Sequence, residues 1–265
     1  MLYLTFTLQI IIMLGFPVGL WLLLRKRLGA SWGLIGAGVL TFIASQVVHL
    51  PLNWALGLLG GGRGVALWPL PWMALVAGLS AGVCEEGARY LVLRFWRREA
   101  RSWGQGVAFG AGHGGAEALI LGLVVTINFV AMIVLRAMGL DVLHLSGDEL
   151  AQVQAQIHNF WNISWYLPLL GGLERVSAIT IQIGASLLVM RSLTSRNPVW
   201  FLAAVGFHTL VDGAAVLMSG SGWSAPAMEG VVFLFALGGL ALILALRSSP
   251  WSRPDSDQPY PVQST

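Results

Sequence analysis

Seven long apolar stretches restrict the fold of this chain more than any other feature of its sequence. A helix of about 20 apolar residues crosses the hydrocarbon core of a bilayer, and only helices or closed barrels satisfy their backbone hydrogen bonds there. The stretches are residues 2–24, 32–59, 72–95, 103–135, 161–190, 198–218 and 227–246. The sequence therefore predicts an all-α polytopic membrane bundle of about seven transmembrane helices, in a single domain of residues 1–246.

The composition supports this class, because only 10% of the residues are charged and 56% are hydrophobic. A soluble domain carries about 25% charged residues. The single cysteine, Cys84, excludes an intrachain disulfide. The net charge of +3 comes from arginines in loops, so we expect no nucleic-acid partner. Residues 247–265 are rich in Pro, Ser and Asp and are predicted to form a disordered tail.

Basic residues mark alternate ends of the seven stretches, which predicts the orientation. The other ends hold only Arg63 and Arg136. The positive-inside rule then places the N-terminus outside and the C-terminus, with its tail, in the cytoplasm. We expect a multi-pass protein of a cell membrane, the bacterial plasma membrane, in contact with its lipids. Between the fourth and fifth spans, residues 148–159 are expected to form a short outer helix that Asp148 caps.

Ionisable side chains occur inside three of the predicted spans, at spacings that place them on one helix face. They are Glu85, Glu86 and Arg89 in the third span, His113 and Glu117 in the fourth, and His208 and Asp212 in the sixth. Charges in a membrane interior are costly, about 2.5–3.5 kcal/mol each even on a lenient scale, and mark functional sites by default.

Three of these spans place their polar groups at one depth. With a rise of about 1.5 Å per residue, Glu86 lies roughly 12 Å, and His113 and His208 roughly 15 Å, from the predicted cytoplasmic face. Gln182 shares this level, whereas Glu174 lies roughly 25 Å from that face. The sequence therefore predicts that acids and imidazoles from separate helices meet in one buried cluster.

Two further polar groups are interpreted as structural. The pair formed by Glu174 and Arg175 lies at the wrong depth to join the cluster. His49, with Gln46 and Asn53 on one face of the second span, is expected to line an interior seam.

Such a cluster is compatible with three kinds of function. A carboxylate held by an imidazole can deprotonate water and return the proton to a leaving amine, while a second His with Asp holds the oxyanion. Alternatively, His113, His208 and Glu85 could bind a divalent metal such as zinc, although no HExxH motif is present. The third kind is a non-enzymatic membrane protein, either a proton-coupled transporter or an immunity-type binding partner.

Three motifs in order carry a family resemblance: Glu85-Glu86-x-x-Arg89, then Phe109-x-x-x-His113 with Glu117, then His208-x-x-x-Asp212. This succession resembles the CAAX-protease and bacteriocin-processing superfamily. It is closest in pattern to the PrsW-like relatives, in particular the bacterial YhfC-type membrane proteins. The resemblance spans the third to the sixth predicted spans.

The resemblance implies a glutamate-type intramembrane endopeptidase that hydrolyses a peptide bond in a peptide or protein substrate within or near the membrane. Glu85 would activate water with help from His113, and His208 with Asp212 would assist the oxyanion. Glu86 would pair with Arg89 in a supporting role. The family leaves open whether the reaction needs no cofactor or a metal.

The motifs depart from the family pattern at two points. CAAX-type proteases have three residues between the glutamate pair and the Arg, but here there are two, as in the PrsW-like Glu-Glu-x-x-Lys. Since one residue turns a helical position by about 100°, either Glu85 or Glu86 is a candidate for activating water. The PrsW-like second motif ends in Glu, whereas here both His113 and Glu117 occur. Glu117 is expected either to orient His113 or to function directly.

Overall fold

A computed structural model describes residues 1–139, 146–248 and 251, and in these ranges the chain forms eight α-helices and no strand. The helices are α1 (Leu2–Leu28), α2 (Trp32–Leu56), α3 (Leu70–Leu91), α4 (Trp103–Met138), α5 (Gly147–Trp161), α6 (Leu167–Ser195), α7 (Val199–Gly220) and α8 (Ala225–Ala245). Six of these, all but α3 and α5, are long and apolar enough to cross a membrane. The prediction of an all-α polytopic bundle is confirmed.

The helix predicted as the third span, α3, is shorter and less apolar than α2 and α4. Its 22 residues extend about 33 Å, enough to cross the hydrocarbon core. Its second half carries Glu85, Glu86 and Arg89, all buried. Because α3 packs between α2 and α7, these polar side chains are shielded from lipid by other helices.

Two boundaries between α4 and α6 differ from the prediction. The fifth span was expected to begin at Trp161, but Trp161 ends α5, and α6 begins at Leu167 with a proline in its first turn. Asp148 does not cap α5; Ser146 holds the cap position and Asp148 lies in the first turn, where a carboxylate favours the helix dipole. Residues 140–145, in the predicted outer segment, and nearly all of the predicted tail lie outside the described residues.

Helices α4 and α6 form the centre of the bundle. Helix α4 packs against α1, α2 and α6, and α6 also contacts α1, α7 and α8. The crossing of α2 and α4 depends on glycine: a Cβ at Gly112 would lie 2.1 Å from the Ile35 carbonyl oxygen, and one at Gly38 would lie 2.1 Å from that of Phe109. Small residues that allow such close backbone approach are typical of membrane helix interfaces.

The outer surface of the bundle is apolar, as lipid contact requires. Large hydrophobic side chains on the long helices are exposed, among them Val47, Leu123, Leu210 and Leu234. In water such extended apolar exposure would drive aggregation or association. The same surface matches hydrocarbon, so the polar groups are left to the interior.

Candidate active site

Helix α3 supplies the charged centre of the site. Arg89 is fully buried and forms an ion pair with Glu86, while its other terminal nitrogen lies 3.5 Å from Glu85 Oε2. The side chains of Glu86 and Glu85 are 0% and 8% exposed. The spacings of three and four residues place both carboxylates on the face that carries Arg89. With both acids ionised, the trio carries one net negative charge.

His113 brings the first imidazole to this centre from α4. Its Nε2 atom lies 3.0 Å from Glu85 Oε2, and both groups are buried. The His113 ring packs edge-on against Phe42 of α2, with the centroids 5.3 Å apart. With Glu85 ionised, Nε2 carries the hydrogen and donates it to the carboxylate.

His208 brings the second imidazole from α7 and reaches both carboxylates. Its Nδ1 atom lies 2.7 Å from Glu86 Oε1, and its Nε2 atom lies 3.8 Å from Glu85 Oε2. Asp212, one turn further along α7, places Oδ2 3.6 Å from His208 Nε2 and is 41% exposed. His208 therefore bridges the two glutamates, and Asp212 lies at the edge of the site. We call Glu85, Glu86, Arg89, His113 and His208 the Glu85 cluster.

Two glutamines complete the contacts of the Glu85 cluster and were not predicted as site residues. Gln46 Nε2 of α2 donates to Glu85 Oε1 at 3.1 Å. Gln182 of α6 accepts a hydrogen bond from Arg89, and its Nε2 lies 3.4 Å from Glu85 Oε2. The sequence could have identified Gln182 as a site residue by its depth in the membrane, because it shares the level of the two histidines. Gln46 was interpreted only as part of the interior seam.

The predicted seam is present beside the site. His49 Nε2 lies 2.9 Å from Asn53 Nδ2 and 3.3 Å from the hydroxyl of Ser80 on α3. Ser80 in turn donates to Asn53 Oδ1 at 2.8 Å. These hydrogen bonds join α2 to α3 alongside the contact between Gln46 and Glu85.

Glu117 belongs to a different set of contacts from the one expected. Arg175 of α6 donates to Glu117 Oε1 at 2.7 Å and also pairs with Glu174. Gln182 Nε2 lies 2.9 Å from Glu117 Oε2. Among the described hydrogen bonds, His113 contacts Glu85, and none joins His113 to Glu117. We call Glu117, Glu174 and Arg175 the Arg175 cluster; Gln182 connects it to the Glu85 cluster.

Three buried polar atoms of the site make no hydrogen bond within the described protein, namely His113 Nδ1, Glu86 Oε2 and Arg89 Nε. Buried polar groups usually have a partner in protein or water. Water molecules or polar groups of a substrate can satisfy these three atoms. The site can therefore bind a further polar group as well as hold its own charges.

The fold and the site define a polytopic membrane protein with a carboxylate–imidazole cluster buried among its helices. The chain belongs to the YhfC intramembrane metalloprotease family, whose model matches residues 10–233. It is 35% identical over 227 residues to a protein of Bacillus subtilis (strain 168) named "Uncharacterized membrane protein YhfC", covering 83% of this chain and 86% of that relative. No solved structure gives a significant match.

The family description implies a metal ion. The Glu85 cluster contains side chains of the types that bind metals, but their arrangement does not suit a metal ion. Two imidazoles and a carboxylate are the ligands of many catalytic zinc sites. In the described residues, however, no three His, Cys, Asp or Glu side chains are grouped to hold a metal. The Arg89 guanidinium also lies 3.5 Å from the Glu85 oxygen that faces both imidazoles. The arrangement does not fit a metal, so the chemistry proposed for the site is assigned to its side chains.

Proposed function

We propose that this protein is an intramembrane endopeptidase in which Glu85 activates the water that hydrolyses a peptide bond of a membrane-embedded or membrane-proximal substrate. The observation that carries the proposal is that Glu85 Oε2 lies 3.0 Å from His113 Nε2 and 3.8 Å from His208 Nε2, two imidazoles from different helices. An acid between two imidazoles is suited to move a proton during a reaction.

The contacts favour Glu85 over Glu86 as the base. Glu86 is fully buried, and its Oε1 atom is shared by Arg89 and His208. Glu85 is slightly exposed, and Gln46 holds its Oε1 atom while Oε2 faces the imidazoles. Glu85 thus keeps an oxygen near groups that can take part in proton transfer, whereas Glu86 neutralises Arg89 and positions His208.

The proposed reaction follows from these positions. Glu85 takes a proton from water, and the resulting hydroxide attacks the carbonyl carbon of the substrate. In its doubly protonated form, His208 donates a hydrogen bond from Nδ1 to Glu86 and one from Nε2 to the oxyanion, and it keeps both protons; Asp212 lies near Nε2. Glu85, steadied by His113, then returns its proton to the amine nitrogen as the C–N bond breaks. The products are a carboxylic acid and an amine, so atoms and protons balance.

The finer assignments belong to the same proposal. The order of the three motifs supports a relationship to the PrsW-like branch of the CAAX-protease superfamily. The bacterial origin of the relative supports a place in the plasma membrane. The basic residues at alternate span ends support an N-terminus outside and a C-terminus in the cytoplasm.

The test uses the purified full-length protein reconstituted in liposomes with a pool of single-span membrane peptides, with cleavage followed by mass spectrometry. We expect wild type to release fragments that Glu85→Gln and His113→Ala do not. The control is Glu99→Gln, an exposed glutamate that pairs with Arg97 outside the site. Equal cleavage by Glu85→Gln and wild type would contradict the proposal.

A chelator distinguishes a reaction performed by the side chains alone from a reaction that needs a bound metal. If the side chains alone perform the reaction, cleavage is unchanged after chelation. Loss of cleavage that zinc restores would replace this mechanism by one in which His113, His208 and Glu85 bind a metal. A transporter or an immunity-type partner would give no cleavage in any variant.

A further inference from the structure

A cavity of about 480 Å³ lies between the end of α3, the end of α6 and the start of α7, where the chain leaves the bundle on its predicted cytoplasmic side. Its volume is within the usual range of ligand sites, about 300–1,000 Å³. Its polar lining consists of Tyr90, Arg94, Ser192 and Arg196. None of these residues belongs to the Glu85 cluster, and none of the described residues that line the cavity is acidic.

Arg94 reaches this cavity from an unusual turn of backbone. Helix α3 continues into a π-helical turn, Val92–Trp96, before the chain leaves the bundle. Such turns account for well under 1% of residues and are frequent at functional sites. Arg94 lies in the middle of this turn, so the departure from α-helix sets the direction of a guanidinium that lines the cavity.

Arg196 reaches the same cavity from a second unusual position. It ends α6 in the left-handed conformation with φ 54°, and it is the one non-glycine residue with positive φ in the described part of the chain. Glycine is the usual residue at such a helix end, because a Cβ is disfavoured there. An arginine at this position therefore carries a backbone cost that a glycine would not.

The ligand chemistry follows from the lining. Arginine binds phosphate through paired hydrogen bonds in a fixed geometry, and two arginines face this cavity. Leu193, Pro198 and Phe201 form its apolar wall, which suits the glycerol and upper acyl chain of a lipid. The cytoplasmic leaflet is where anionic headgroups attract basic side chains.

We propose that this cavity is a binding site for the phosphate group of an anionic phospholipid, held by Arg94 and Arg196. The bound phosphate lies between the two guanidinium groups, and the lipid chain leaves along the apolar wall. Tyr90 follows Arg89 directly in the sequence, so the site adjoins the end of α3 that carries the Glu85 cluster. The inference does not depend on peptidase activity.

The main test measures lipid retention by the full-length protein in nanodiscs that contain phosphatidylglycerol or only phosphatidylcholine, by native mass spectrometry. We expect wild type to retain phosphatidylglycerol selectively. Because each guanidinium makes charge-assisted hydrogen bonds to the phosphate, each worth about tenfold in affinity, the variant Arg94→Gln/Arg196→Gln should bind about 100-fold more weakly.

The matched control is Lys26→Gln/Arg27→Gln, which removes two exposed positive charges from the end of α1, on the same predicted face. It should keep wild-type retention if the cavity, and not the total charge of that face, selects the lipid. Equal losses in the two double variants would overturn the proposal.

Arg196→Gly separates binding from backbone structure. Glycine suits the left-handed position, so the thermal midpoint should be unchanged or higher. Lipid retention should still fall about tenfold, because one guanidinium that hydrogen-bonds to the phosphate is lost. Wild-type retention in this variant would overturn the role of Arg196.

Competition with inorganic phosphate distinguishes a site for the phosphate group of a lipid from a site for a free phosphate ion. Competition by phosphate with the retained lipid, lost in the double variant, supports a site built for the phosphate group. Phosphate binding without lipid retention would assign the site to the free anion and overturn the lipid proposal. Binding of an acidic peptide but of neither phosphate compound would overturn it as well.

Discussion

The bundle buries two clusters with the same charged groups but different surroundings. The Glu85 cluster and the Arg175 cluster each contain two glutamates and one arginine. The Glu85 cluster adds two imidazoles, and its side chains are at most 8% exposed. The Arg175 cluster has no imidazole, and its side chains are 12–32% exposed. Only the Glu85 cluster combines proton-carrying groups with near-complete burial.

This difference shows how the same residues serve two purposes. The Arg175 cluster is partly exposed, contains one glutamate more than it has arginines, and mainly joins α4 to α6. In the Glu85 cluster the protein itself must balance the charge, and the imidazoles are the groups that can gain or lose a proton to do so. Gln182 contacts both clusters, so substitutions of Gln182 test whether the two clusters act separately.

The largest expected effect is on catalysis at Glu85. Removing a positioned acid or base typically lowers a rate about 10²–10⁴-fold, so Glu85→Gln should reduce peptide cleavage by that factor. Glu174→Gln is the matched change in the Arg175 cluster and should leave cleavage near wild type. Similar losses in both variants, measured with the reconstituted protein, would remove the distinction between the clusters.

The next largest effect is on stability at the two arginines. Arg89→Met leaves two buried carboxylates without their cation, and breaking a buried ion pair costs about 3–5 kcal/mol. Arg175→Met leaves carboxylates that are partly exposed, so its cost should be smaller. The measurement is thermal unfolding of each variant in detergent. A lower midpoint for Arg175→Met than for Arg89→Met would show that burial does not separate the clusters.

A smaller effect is expected at the connection between the clusters. Gln182→Leu removes a side chain that hydrogen-bonds to charged groups, an interaction that contributes about 1.5–3 kcal/mol, and should lower both stability and the cleavage rate. In a cycle with Glu117→Gln, groups that interact are expected to give a coupling energy of at least about 0.5 kcal/mol. Strict additivity would mean that Gln182 does not join the two sets of contacts.

The smallest effect is expected at Glu117 alone. Because its contacts are to Arg175 and Gln182, Glu117→Gln should change kcat by less than about fivefold, equivalent to about 1 kcal/mol. The measurement is the cleavage rate at saturating substrate, beside His113→Ala as the variant with a large expected loss. A loss at Glu117 that matches His113→Ala would place Glu117 in the reaction.

Much of the fold was predictable, because lipid imposes length and apolarity on each span. The error at Trp161 arose because an amphipathic surface helix can end in an aromatic residue that also suits a span end. The meeting of Glu85 with His113 and of Glu86 with His208 agrees with the depth argument, which needs only the rise per residue. Their roles in a reaction stay predictions.

The partners of Glu117 and Gln182 could not be derived in the same way. His113 and Glu117 share a face of α4 at a spacing of four residues, which predicts that they lie near each other. One turn of about 5.4 Å is nevertheless enough to change the neighbouring helix, so His113 meets α3 while Glu117 meets α6. Such choices depend on helix rotation and tilt, which hydropathy and spacing do not determine.

The glycine contact between α2 and α4 sets the tolerance of the site. Hydrogen atoms at Gly38 and Gly112 allow the two backbones to approach where a methyl group would collide with a carbonyl oxygen. Gln46 lies two turns along α2 from Gly38, and His113 follows Gly112 directly. The alignment of Glu85 with its neighbours therefore depends on Gly38 and Gly112, although neither glycine contacts Glu85. A misplacement of about 1 Å can lower a reaction rate 10²-fold.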